Sequence, residues 1–180
     1  MKLLIIAFVL VLQLPAFGKN TEKKPLKALM ITGGCCHDYK TQRNIISEGI
    51  NERVPTKFEI FFEMDASKSK AYLSKKGWAD GFDYVVYNHC FAHETDAKFV
   101  ESVTAVHKSG KPALALHCAM HSYHWKLEAK ENGKKDWPEM LGASSRGHGP
   151  KAAITVNKVK KHADHPIMKD MPDGWLTPGG

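Results

Sequence analysis

The sequence predicts an α/β protein, an open and mostly parallel sheet with helices on both faces. Three observations predict it. Short, nearly continuous apolar runs ("LKALMITGG", "FDYVVYNHC", "KPALALH") read as strands buried on both sides. Stretches of helical periodicity, rather than hairpin turns, lie between them, which is the alternation of βαβ units. The chain has 180 residues, 43% hydrophobic and 25% charged, which suits one globular domain with its own core.

The elements follow in order. Met1-Lys2 is a short positive start, "LLIIAFVLVLQL" an apolar run, and "PAFG" offers Ala16 and Gly18 as small residues before a cut. Residues 1–18 therefore read as a secretory signal peptide. The run is shorter than the ~20 residues a membrane span needs, so no stable span is expected after cleavage. Export to the periplasm or beyond the cell follows, where disulfides are permitted. Residues 19–25 form a polar leader, and the domain runs over 26–180.

Leu26 to Thr32 is the first strand, ending at Gly33-Gly34. Residues 41–54 predict a helix with Thr41 as N-cap and Ile45, Ile46 and Ile50 on its inner face. "KFEIFFEMD" alternates and ends at Asp65, giving a second strand, and "SKSKAYLSKKG" is a short helix or a loop. "FDYVVYNHC" is the third strand. "ETDAKFVESVTAVHKSG" is an amphipathic helix with Phe99, Val103 and Val106 inward and Gly110 as its stop. "KPALALH" is the fourth strand, "KKDWPEMLG" a helical turn ending at Gly142, and "AAITVNKV" a fifth strand.

The formal charge is +7, with a pI of about 9.2. The lysines are scattered, and only Arg43, Arg53 and Arg146 are arginine. No basic stripe with interleaved aromatics exists, which sets nucleic acid aside as a partner and leaves a solvated basic surface.

In an open α/β sheet, ligands bind outside the carboxyl ends of the strands. Those ends carry most of the reactive side chains here. Cys35, Cys36, His37 and Asp38 follow strand one, and Asp65 follows strand two. Asn88, His89 and Cys90 end strand three with His93 beyond, and His117 and Cys118 end strand four. With strand one between two and three, and four beside three, Cys36, Cys90 and Cys118 come close together.

Three readings of the cysteines stay open. One is a disulfide, with Cys90–Cys118 the first pairing to try because adjacent Cys35 and Cys36 strain if joined. One is a divalent-metal site of cysteine and histidine, without C-x₂-C or H-E-x-x-H spacing. The third is small buried thiols filling space. If residues 119–127 are helical, His117, His121 and His124 share a face. That face either holds a metal or presents histidines to solvent.

With these residues in hand, the chain resembles the ThuA-like (trehalose-utilisation) family of the class I glutamine amidotransferase-like superfamily. The resemblance rests on "ALMITGGCCHDY", "FDYVVYNHC", "SGKPALALHCAMHSY", "WPEMLGASSRGHGP" and "HADHPIMKDMPDGW", in that order from about residue 26 onward. It implies a flavodoxin-like three-layer sandwich. It also implies that further residues normally follow the last one here, where Trp175 and Leu176 have nothing after them to pack into.

Active amidotransferases place a cysteine at a sharp turn in a pattern like P-x-x-G-I-C-x-G. Laid on this chain, Pro112 matches the proline, Leu116 precedes the nucleophile position, His117 occupies it, and Cys118 falls one place after. The resemblance thus implies a carbohydrate-related protein, acting on trehalose-type or keto sugars, without an amidotransferase nucleophile. A non-catalytic sugar- or metal-binding module and a thiol hydrolase using Cys118 are the alternatives.

The candidate catalytic residues are His117, His37, Asp38 and His89, since imidazoles and a carboxylate suit proton transfer near neutral pH. His117 is the expected central base, oriented by Asp38 or His89. Gly33, Gly34, Asn88, Cys118 and His148 are candidate binding residues, with the Gly33 and Gly34 amides facing an anion or carbonyl oxygen and His148 on a covering loop.

Overall fold

The computed structural model describes residues 24–127, 135–145, 147, 149–150 and 152–178. The expected signal peptide, residues 19–23 of the leader, and His148 lie outside the described residues.

The elements are β1 (Leu26–Gly34), α1 (Tyr39–Asn51), β2 (Thr56–Glu63), α2 (Ala66–Leu73), β3 (Tyr84–Cys90), α3 (Ala97–Lys108), β4 (Ala113–Ala115), α4 (Asp136–Leu141), β5 (Thr155–Val156) and β6 (Trp175–Leu176). A 3₁₀ turn spans His117–His121, and another Lys160–His162. β1 to β4 form one parallel sheet in the order β2-β1-β3-β4. The chain leaves β1 for β2 on one side, then crosses to β3 on the other. This is the start of the doubly wound order 2-1-3-4, whose switch point lies between β1 and β3.

β1 and β3 are central and sealed on both faces. Side chains alternate along a strand. Leu29, Ile31, Val85 and Tyr87 therefore share one face, packed with Leu73 of α2, Phe99, Val100 and Val103 of α3, and Trp137 of α4. Fully burying each large apolar side chain contributes about 1.5–3 kcal/mol, so this layer dominates the stability. On the opposite face lies α1, whose buried Tyr39 clusters with Cys90 and Cys118 and with Phe62 of β2.

Four expectations change. The α1 cap is Asp38, not Thr41: its carboxylate accepts from the Thr41 amide at 3.1 Å. On the helix Ile46 and Ile50 are half-buried, but Ile45 is 64% exposed and lies off the inner face. The fourth strand is only three residues long and sits at the sheet edge, paired with β3 alone, so Leu114 is 41% exposed. "AAITVNKV" adds nothing to the parallel sheet: Thr155–Val156 pairs antiparallel with Trp175–Leu176 in a separate ladder.

The region "SKSKAYLSKKG", open between helix and loop, contains α2, capped by Asp65 through the Ser67 and Lys68 amides. The third helix is amphipathic as expected, with Phe99 and Val103 buried and Gly110 beyond its end in a left-handed conformation. Among the described residues no helix is long and apolar enough to cross a membrane.

Candidate functional site

β1 ends in two glycines because neighbouring backbones press against it there. A Cβ on Gly33 would collide with the Glu63 carbonyl of β2, and one on Gly34 with the Cys90 carbonyl of β3. Both residues also take positive φ, +136° and +89°, which favours glycine. The chain then bends through Cys35, Cys36 and His37 before Asp38 starts α1. That bend delivers His37 to the crevice between β1 and β3. From the other side β4 ends, Leu116 donates its amide to the Tyr87 carbonyl at 2.9 Å, and the chain turns at His117.

His117 has φ 40°, a left-handed value that costs a non-glycine residue energy. The turn after β4 is thus strained, and its His117 side chain is exposed. The next residue, Cys118, is buried.

Six residues line a cleft of about 220 Å³ at this point: His37, Tyr39, Gln42, Asn88, His117 and Cys118. The His37 and His117 rings meet edge to face, centroids 4.9 Å apart. His37 Nε2 lies 2.9 Å from Cys118 Sγ. Asn88 donates through Nδ2 to Thr32 Oγ1 and Gln42 Oε1, both at 3.3 Å, which fixes its amide at the back of the cleft.

Burial pushes the Cys118 thiol upward in pKa, partly offset by hydrogen bonds with Cys90 and Tyr39. Burial likewise pushes Cys90 up to about 12, with the neighbouring Cys118 adding to it. Burial also raises the Tyr39 phenol, with the two thiols adding to the effect. The sulfurs in this corner therefore stay protonated at neutral pH.

Cys35 and Cys36 form the disulfide, with Cys36 at φ 84°, while Cys90 and Cys118 are free and buried. This overturns the expected preference for a Cys90–Cys118 bond. The positive φ at Cys36 lets two adjacent side chains turn toward each other, the conformation the strain argument had discounted. The cysteines do gather at one rim: sulfurs of Cys35, Cys36 and Cys90 lie within 4.8 Å of one another.

The other expected residues fall elsewhere. His89 is fully buried on the opposite face of β3 from Asn88 and Cys90, ringed by Tyr87, Phe91, Tyr123 and Trp137. Neither of its ring nitrogens makes a hydrogen bond of normal geometry. Burial drives its pKa down to about 3, only weakly opposed by the Ile31 carbonyl. Asp38 is exposed and spent on capping α1, where the Thr41 side chain and amide hold its pKa below the usual carboxylate value.

Residues 119–127 do not form an α-helix. His121 donates from Nδ1 to the Ser145 carbonyl at 2.9 Å, and His124 from Nε2 to the Met120 carbonyl at 2.5 Å. Among the described residues the metal-competent cluster containing His117 includes neither of them but His37 and Cys118 instead. Tyr39 and Gln42 line the cleft without having been anticipated. Positions 39, 42 and 46 share one face at helical spacing, so a helix that starts at Tyr39 carries the first two into the cleft beside half-buried Ile46.

A second cavity of about 410 Å³ opens beyond Cys35 and Cys90, toward α2, with Met64, Phe91, Phe99 and Lys70 in its wall. The Lys70 amine there is held by Glu94 and Asp96, at 3.2 and 3.0 Å. Its charge is matched within the fold. The smaller cleft has the convergent imidazole, amide and thiol groups, and it sits at the switch point.

No family model, no curated protein and no solved structure matches this chain. Its class is therefore set by architecture: an α/β protein with a doubly wound parallel sheet and a histidine-lined cleft at the β1–β3 switch.

Proposed function

We propose that the protein is an exported, ThuA-like carbohydrate-acting protein whose small cleft holds one polyhydroxylated ligand of trehalose or keto-sugar type. The carrying observation is His117: an exposed imidazole on a strained turn, facing a second imidazole across a cleft backed by the Asn88 amide. Imidazoles exchange protons near neutral pH, and the amides of Asn88 and Gln42 suit hydroxyl groups. The cleft volume is below the ~300 Å³ at which pockets for drug-sized molecules begin, so it fits one compact polar ring better than an extended substrate.

Export rests on the apolar run and small-residue cut at residues 1–18. Glutamine amidotransferase chemistry is set aside because His117 stands at the nucleophile position and the neighbouring thiol is buried with its pKa raised. One contact favours a second reading. His37 Nε2 against Cys118 Sγ is the base–thiol pairing that a cysteine nucleophile requires.

His117→Ala and Cys118→Ala, assayed against a panel of keto-sugar glycosides, separate the two. The carbohydrate reading expects activity to fall at least ~100-fold in His117→Ala, the scale of a lost general base, with Cys118→Ala less affected. Loss confined to the Cys118 variant would install the thiol hydrolase in its place. Sugar binding by calorimetry without turnover in the native chain would make the cleft a binding module.

A further inference from the structure

We propose that His37, His117 and Cys118 form a three-ligand centre for a borderline-soft divalent metal, zinc foremost, with its fourth position open to the cleft. One donor atom from each residue lies within 4.8 Å of both others, and the closest pair, His37 Nε2 and Cys118 Sγ, is at 2.9 Å. Zinc bonds of ~2.0–2.1 Å to nitrogen and ~2.3 Å to sulfur place tetrahedral donors about 3.5 Å apart. Rotation of the His117 side chain, the exposed member of the three, would bring the donors to that spacing.

The supports are backbone features rather than loops of arbitrary shape. The bend between β1 and α1 carries His37, and the positive-φ turn after β4 carries His117 and Cys118 side by side. Strain of that kind persists only where the surroundings fix it, and it gathers at functional sites. Around the donors stand polar groups of the type that steady a metal's ligands: the buried Tyr39 hydroxyl beside the Cys118 sulfur, and the Asn88 amide held by Thr32 and Gln42.

The donor chemistry selects the metal class. Two imidazoles and a thiol, with no carboxylate, suit zinc or its neighbours and not magnesium or calcium, which require oxygen. Three protein ligands with an open position is the pattern of catalytic rather than structural zinc. On binding, a metal–sulfur bond forms and the Cys118 thiol proton leaves to solvent, so affinity rises with pH. The other sulfur-rich cluster is excluded, because Cys35 and Cys36 are joined and leave Cys90 as its only thiol.

The centre occupies the same cleft as the proposed sugar site, where the open position would accept a hydroxyl or carbonyl oxygen. It does not rest on sugar being the ligand.

Cobalt(II) titration of the metal-stripped full chain tests it, because a cobalt–thiolate bond gives a near-ultraviolet charge-transfer band. One equivalent of cobalt, with that band and displaced by zinc, is expected. Cys118→Ala should abolish the band. His37→Ala and His117→Gln should each weaken cobalt affinity at least ~10-fold, and Cys90→Ala should leave stoichiometry and band intact. Far-ultraviolet circular dichroism identifies any variant that fails to fold. His117→Gln, at an exposed position, then carries the test. Absence of stoichiometric cobalt or zinc in the native chain overturns the proposal, as does a band that survives in Cys118→Ala or an affinity unmoved by His117→Gln. Cobalt uptake without sugar binding sinks the carbohydrate reading alone, and sugar binding without cobalt sinks the metal centre alone.

Discussion

His89 is a neutral base held in an aromatic cage. Its ring is sealed from water among Tyr87, Phe91, Tyr123 and Trp137, and a buried polar group without good hydrogen bonds costs about 1–3 kcal/mol. Its pKa in the fold is about 3, against 6.5 when unperturbed. Between those values the unfolded chain binds a proton that the folded chain refuses. Stability from this residue is therefore full above about pH 6.5 and declines as pH falls, by about 1.4 kcal/mol per unit. His107, half-enclosed between the Tyr87 hydroxyl and the Lys111 carbonyl and also depressed by burial, adds to the same slope. The capping carboxylates Asp38, Asp65 and Asp96 lie below their ordinary value and act only at lower pH. His89→Phe should thus flatten the loss of stability between about pH 7 and about pH 5 without lowering stability at the upper end. Urea unfolding at both pH values measures it, and an unchanged slope would mean that His89 is not the residue refusing the proton. Period-two alternation was enough to foresee this placement. Asn88 lines the cleft and Cys90 shares its face of β3, so His89 between them points to the opposite side.

At the scale of elements, α1 carries more of the site than its sequence suggested. The helix starts after Asp38 rather than Thr41, so it includes Tyr39 and Gln42, which line the cleft, while Ile45 faces solvent. Both residues are good caps, and sequence alone gave no reason to choose the earlier one. The choice is made by the glycine-ended β1, which reaches the bend only three residues before Asp38. Asp38→Ala should cost about 1 kcal/mol through the lost cap, whereas Asp38→Asn, an equally good N-cap, should cost little. The pair also separates capping from proton transfer. If Asp38 moved protons, the Asn variant would keep its thermal midpoint yet lose activity; if it only caps, both properties survive. β4 shows the opposite case. Its apolar letters read as a buried strand, but a strand with one neighbour is an edge, and burial depends on partners that a strand's own sequence does not name. His117 and Cys118 could be placed in sequence at the end of the fourth strand, but which of the two meets solvent is set by the turn at His117, with its positive φ.

Across the whole molecule, the parallel sheet was readable from strand–helix alternation, and its order put the cleft where the doubly wound rule places ligands. The last part of the chain did not follow that logic. No described residue from 152 to 178 is buried, and Ile154, Val159, Ile167 and Leu176 stand more than half exposed. The segment is held by local bonds, such as the β5–β6 pairing, the Thr177 amide on the Ile154 carbonyl, and the Lys158 amide on Asp173. Burial supplies the free energy that makes unfolding cooperative, and a segment with none opens below the global cost. Native-state hydrogen exchange should therefore show amides of 152–178 exchanging far faster than those of β1 and β3, and independently of added denaturant at low concentration. A chain ending at Pro150 should unfold at nearly the same midpoint as the longer one. A large drop on truncation, or protection at Thr155 and Val156 matching that at Ile31 and Val86, would show that this ladder belongs to the cooperative core.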